Sequence, residues 1–277
     1  MSGIRSILLQ LDATPAAAMR LREARELARR HEAHLAVMFV TATSHWPPRL
    51  APDDDTSLFL QTSTWAEQDR AMAMFDAAQA LGGPQMQWLD GQGTDAVELF
   101  CRQALFADLL VLAQHDAGAV LPGAAPADFV TSAMLRSGRP ALVLPATGAP
   151  AGFGHQVLLC WNATAPAARI LSAALPWLRR ARHVHVLDTT DSHGGPVVGE
   201  ALDIAQYLRF HGVTAVLHGR QLPPADACAQ VLALARELAA DLLVMPCAGR
   251  SLLREWVLDD STHRLLQAMT SPLLMCA

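Results

Sequence analysis

Two groups of residues in this chain have polar chemistry suited to holding a small ligand. The first ends hydrophobic runs: Asp12 closes Leu8-Leu9-Gln10-Leu11, and Asn162 closes Leu158-Leu159-Cys160-Trp161. The loop after such a strand is where an open α/β sheet binds ligands, and the other reading of these residues is a strand-end turn. The second group is Gly249-Arg250-Ser251 with Ser261. Glycine lets backbone approach an anion, arginine supplies charge, and Ser261 stands at a helix opening where free N–H groups gather. Asp259 and Asp260, just before Ser261, bring negative charge to the same helix opening. A carboxylate about 4 Å from a phosphate charge costs ~1 kcal/mol in water and ~4 kcal/mol at an effective dielectric near 20. Aspartate is also a preferred N-cap, favoured by the helix dipole, so the helices opening at Asp128 and Asp260 are expected to carry their own anion there. Mg²⁺ bridging Asp259 or Asp260 to phosphates would reverse that repulsion.

Other candidates are weaker. His183 and His185 are two apart on a strand and share a face, but no carboxylate or cysteine lies beside them at ligand spacing. They read as an edge pair, and no metal is expected. His31-Glu32-Ala33-His34 is not HExxH, because the second histidine comes one residue early. Cys160, Cys247 and Cys276 fall near the ends of neighbouring strands and read as buried thiols, with a redox-sensing cluster as the alternative. Trp46 and Trp65 flank the acidic run 53–55, which reads as a solvated insertion, the alternatives being a cover over a cleft or a partner contact. GxSxG and P-loop motifs are absent, so nothing marks the chain as an enzyme.

The elements that must position these residues occur twice. The run ADLLV stands at 107–111 and again at 240–244, each time after a helix-like stretch and before a loop. Hydrophobic runs predict strands over 4–11, 35–40, 85–89, 107–113 and 140–145, and again over 157–161, 183–187, 213–218, 240–246 and 273–276. Between them fall helices over 16–31, 58–81, 94–106 and 128–137, then 165–180, 197–211, 224–239 and 261–268. Met19, Ala24, Leu27 and Ala28 form the apolar stripe of the first helix, and Thr94 is expected to cap the third. The copies are offset by 150 residues at the first strand, 133 at ADLLV and 132 at the last, so the first carries the extra loop 41–57. The linker composition of 146–154 separates domains at 1–146 and 154–277. Alternating strands and helices predict an α/β fold of two tandem doubly wound domains, with parallel sheets and helices on both faces.

Composition narrows the function classes. The chain has 277 residues, 52% hydrophobic and 17% charged, with net charge −5 and pI near 6.1. That balance argues against nucleic acid and anionic membranes as partners. No apolar run approaches the ~20 residues of a membrane helix. Five cysteines without CxxC spacing are expected to be reduced in a cytoplasmic protein.

These residues resemble the universal stress protein (UspA) family in its tandem form. The resemblance rests on Leu8-Leu9-Gln10-Leu11-Asp12-Ala13-Thr14, on ADLLV, on Arg136-Ser137-Gly138-Arg139-Pro140 leading into Ala141-Leu142-Val143-Leu144, and on Ser251-Leu252-Leu253-Arg254-Glu255-Trp256-Val257-Leu258. It implies five-stranded sheets of order 3-2-1-4-5, an internal pseudo-dimer through the last strands, and further homodimers as an option. Nucleotide-binding members carry Gly-x2-Gly-x9-Gly-Ser/Thr after the fourth strand, and Asp12 resembles the aspartate that lies near adenosine. In the second half only Gly249 survives, the Gly-Ser pair being Asp259-Asp260; in the first half that pair is Ala127-Asp128. The resemblance thus implies a stress-response or regulatory binding protein with degenerate nucleotide sites and no retained cofactor, whose partner would be another protein. The alternative is an adenine-nucleotide-binding stress protein, with ATP and Mg²⁺ and slow hydrolysis. Its site would comprise Asp12, Asn162, Gly249, Arg250, Ser251 and Ser261.

Overall fold

The computed structural model describes residues 3–41, 54–89, 95–115, 125–126, 128–146, 152–189, 203–219, 227–247 and 260–277. The chain divides into two compact units, Met1–Gly148 and Ala149–Ala277. Both repeat one programme of strand and helix.

Unit 1 runs β1 (Ser6–Leu11), α1 (Ala17–His31), β2 (His34–Phe39), α2 (Asp54–Ala80), β3 (Met86–Leu89), α3 (Ala96–Ala104), β4 (Leu109–Ala113), α4 (Phe129–Ser137) and β5 (Ala141–Leu144). Unit 2 runs β6 (Gln156–Trp161), α5 (Ala165–Leu178), β7 (His183–Asp188), α6 (Ile204–Phe210), β8 (Ala215–Gly219), α7 (Ala227–Glu237), β9 (Leu242–Pro246), α8 (Asp260–Ala268) and β10 (Leu273–Cys276). Within each unit the strand pairings are all parallel. They give the order β3-β2-β1-β4-β5 in unit 1 and β8-β7-β6-β9-β10 in unit 2. The central strands β1, β4, β6 and β9 are almost wholly buried, which is why they read as continuous hydrophobic runs.

The ADLLV aspartates turn out to be strand clamps. Asp108 Oδ2 accepts the N–H groups of Arg5 and Ser6 at 2.8 and 3.0 Å. Asp241 accepts those of Gly154, His155 and Gln156 at 2.9, 3.1 and 2.9 Å. Each caps the start of its unit's first strand, whose opening N–H groups have no ladder partner. The strand itself starts two residues into the motif, at Leu109 or Leu242. Gly154 is required at its clamp: its φ is +86°, and a Cβ there would meet Trp177 at 3.0 Å.

Several local expectations change. The helix expected from 58 begins at Asp54, because aspartates suit a helix's first turn. Asp95, not Thr94, caps α3, accepting from the N–H groups of Val97 and Glu98. Asp128 occupies the N-cap position of α4 but makes no cap hydrogen bond with its side chain, which is exposed. The helix expected over 197–211 is described over Ile204–Phe210, residues 197–202 lying outside the described residues. The buried residues of α1 are Ala17, Arg20, Leu21, Glu23, Ala24, Leu27 and Ala28, so Arg20 is buried and Met19 is only half-buried.

Candidate functional site

The strand order creates one crevice per unit. From β1 the chain turns to β2 on one side, while β4 returns on the other, so the carboxyl ends of β1 and β4 part at a switch point. In unit 1 the β1–β4 register is recorded for Ile7↔Leu109, Leu8↔Leu110 and Leu9↔Val111. One step further, side chain replaces backbone: Gln10 Oε1 accepts the N–H of Ala113 at 3.1 Å. Gln10 is fully buried, and its Nε2 donates to Asp12 Oδ2 at 3.2 Å.

Asp12 therefore sits on the floor of the crevice, and it is already engaged. Thr14 donates to Asp12 Oδ1 through its backbone N–H at 3.0 Å and its hydroxyl at 2.6 Å. Arg20 Nη2 lies 2.7 Å from the same oxygen, and both side chains are 2% exposed. Nη2 makes no aligned hydrogen bond, so the contact is ionic, while Arg20 Nε donates to the Gln10 carbonyl at 3.1 Å. Removing two ions from water costs several kcal/mol each, and such a pair is tolerated only when further hydrogen bonds satisfy it. Gln10 and Thr14 supply those bonds.

Above this floor lies a cavity of about 150 Å³. Its wall is mostly apolar, including Pro15, Ala113, Pro126, Phe129 and Val130, with Gln114 and His115 as polar members. His115 Nδ1 is buried without a hydrogen-bond partner.

Unit 2 solves the same floor without charge. At an offset of 150, Gln10, Asp12, Thr14 and Arg20 correspond to Cys160, Asn162, Thr164 and Ile170. Thr164 donates to Asn162 Oδ1 at 2.7 Å and caps α5, as Thr14 donates to Asp12. Ile170 is fully buried where Arg20 is, and Cys160 is buried where Gln10 is. Asn162 is half-buried. Cation and carboxylate have been replaced together.

The structure thus brings Asp12 and Asn162 to equivalent places in their units. Gly249, Arg250, Ser251 and Asp259 lie outside the described residues, as do Trp46 and the side chains of Asp260 and Ser261, although the backbone of these last two belongs to α8. Sequence reasoning missed Arg20 and Gln10. The signal was present: an arginine occupies an apolar position of α1, and the repeat places isoleucine there.

The thiols are chemically quiet. Cys247 N–H donates to the Cys276 carbonyl at 2.7 Å, and all five cysteines are free. Burial pushes the Cys160 thiol up to about 12 and the Cys247 thiol up to about 11, Cys276 adding to the latter. Protonated thiols are poor nucleophiles. Among the described residues, no group of three or more His, Cys, Asp or Glu converges to hold a metal, and no helix is long and apolar enough to cross a membrane.

Solved structures share this fold across nearly the whole chain. A universal stress protein from Archaeoglobus fulgidus DSM 4304 matches with TM-score 0.70 at 14% identity, covering 98% of this chain and 95% of that one. A functionally unknown protein from Pseudomonas aeruginosa PAO1 matches with TM-score 0.60 at 15% identity, covering 99% and 92%. No family model matches the sequence, and no curated protein matches it. The chain has the tandem α/β fold seen in the archaeal universal stress protein.

Proposed function

We propose that the chain is a tandem universal stress protein whose crevices no longer take ATP, and that it works as a cytoplasmic regulatory binding protein rather than an enzyme. One observation carries this reading: the carboxylate that would face a nucleoside is already bonded to Thr14 and Gln10 and paired with the buried Arg20. A ribose or base would have to displace a satisfied ionic network, leaving buried polar groups unpaired. Unit 1 therefore does not fit adenosine at Asp12. Free cysteines suit a reducing compartment.

A second reading keeps nucleotide in unit 2. Its support is Asn162, half-buried and paired with no cation among the described residues, with Thr164 as its bond partner. Calorimetric titration of the full chain with ATP, with and without Mg²⁺, separates the two readings. No heat of binding by the native chain, and binding gained in Asp259→Gly/Asp260→Ser, supports crevices closed by their own carboxylates. Micromolar binding by the native chain that requires Mg²⁺, and is lost in Asn162→Ala, supports the second reading and rejects the first.

A further inference from the structure

The outer strands of unit 2 hold an arrangement that the crevice does not use. His185 on β7 and His218 on β8 face each other with Nδ1 and Nε2 3.0 Å apart. Their ring centroids are 5.2 Å apart and the rings are tilted by 40°. In the β7–β8 register Leu187 pairs with His218, so His183, His185 and His218 lie on one face of the sheet. Both members of the pair are half-buried and His183 is exposed.

The internal repeat shows that this pair is a joint feature of unit 2. The registers Leu35↔Met86 and Val184↔Ala215 align the two units, so His185 stands where unit 1 has Ala36, and His218 where it has Leu89. Two apolar residues have become two imidazoles that touch. We infer that His185 and His218 form a bidentate site for a divalent transition metal that favours imidazole, such as Ni²⁺, Zn²⁺ or Cu²⁺.

Geometry and chemistry agree. Metal–imidazole bonds of about 2.0–2.1 Å place two ligand nitrogens about 2.9 Å apart at a right angle and about 3.3 Å apart at the tetrahedral angle. The observed 3.0 Å lies between. Ligation needs neutral imidazole. No third protein ligand converges among the described residues, so water completes the coordination. Two imidazoles and water correspond to affinity in the micromolar range, below that of closed four-ligand sites.

The test uses the full chain and Ni²⁺ alone as probe. Equilibrium dialysis should find one Ni²⁺ per chain with micromolar affinity. His185→Ala and His218→Leu install the residues of unit 1, which that unit shows the fold accepts, and each should weaken binding at least tenfold. Loss in His183→Ala as well would add a ligand to the same site. Cu²⁺ bound to the native protein gives a reading that needs no variant: its electron paramagnetic resonance should show splitting from imidazole nitrogens. Absence of binding at millimolar Ni²⁺, or binding unchanged in both substitutions, would overturn the assignment and leave the pair a hydrogen-bonded staple between strands.

Discussion

Arg20 is the residue on which the first crevice depends. Alone, it would be a cation buried at 2% exposure; beside Asp12 it completes a charge pair. Breaking such a pair from one side costs about 3–5 kcal/mol, whereas replacing both members with neutral side chains is often nearly neutral. We therefore expect Arg20→Ile to destabilise unit 1 by about 3–5 kcal/mol, and Asp12→Asn/Arg20→Ile to recover more than half of that loss. Urea denaturation of both single variants and the double checks this, and strict additivity would reject the coupling. The cysteines make a second expectation at this scale. Because burial holds the Cys160 and Cys247 thiols protonated, iodoacetamide at neutral pH should leave both unmodified in the folded chain. Labelling of all five cysteines before unfolding would contradict it.

At the scale of elements, the sequence carries strand and helix positions well, because period and run length reflect which faces are buried. The strands at Leu8-Leu9, Leu109–Ala113 and Leu273–Cys276 fall where their hydrophobic runs predict. Asp12 and Asn162 were legible as strand-end residues. What stands beside them was not. Arg20 has the letter of a surface residue, and its burial follows from Asp12, which only the folded chain brings near. His218 is 33 residues from His185, and the register that joins them is tertiary. Asp128 fails as a cap although its type and place suit one, showing that propensity proposes and geometry decides. The ADLLV clamps give the prediction for this scale. Asp241→Ala removes the acceptor of three N–H groups, and Asp108→Ala that of two. Each should cost about 1–3 kcal/mol, with Asp241→Ala the larger. Amide exchange should quicken at 154–156 in one and at 5–6 in the other. Unchanged exchange at these amides would show that the clamps hold nothing.

For the whole molecule, the chemistry of its charges matters more than their number. The 21 cationic side chains are all arginine; the sequence contains no lysine and one tyrosine. Arginine stays charged throughout the ordinary pH range, so the alkaline response falls largely to the thiols. Four of the five cysteines belong to unit 2. A buried thiol whose folded pKa lies above its unfolded value of 9.0 leaves stability intact below about 9 and erodes it as pH rises toward about 12. Unit 2 should therefore yield first to a protease as pH rises from about 9 to about 11. Simultaneous cleavage of both units across that window would refute this.

The paired change on the crevice floors also bears on how two copies of one fold diverge. Asp12 with Arg20, and Asn162 with Ile170, are both self-consistent, but they differ at two positions at once. A single-step intermediate that keeps only one charge gives up ~3–5 kcal/mol, much of the ~5–15 kcal/mol that holds a protein folded. Drift at either position is therefore blocked until the other can change, and two copies that began alike would stay on separate sides of that barrier. A homologous chain should carry both charges at these sites or neither.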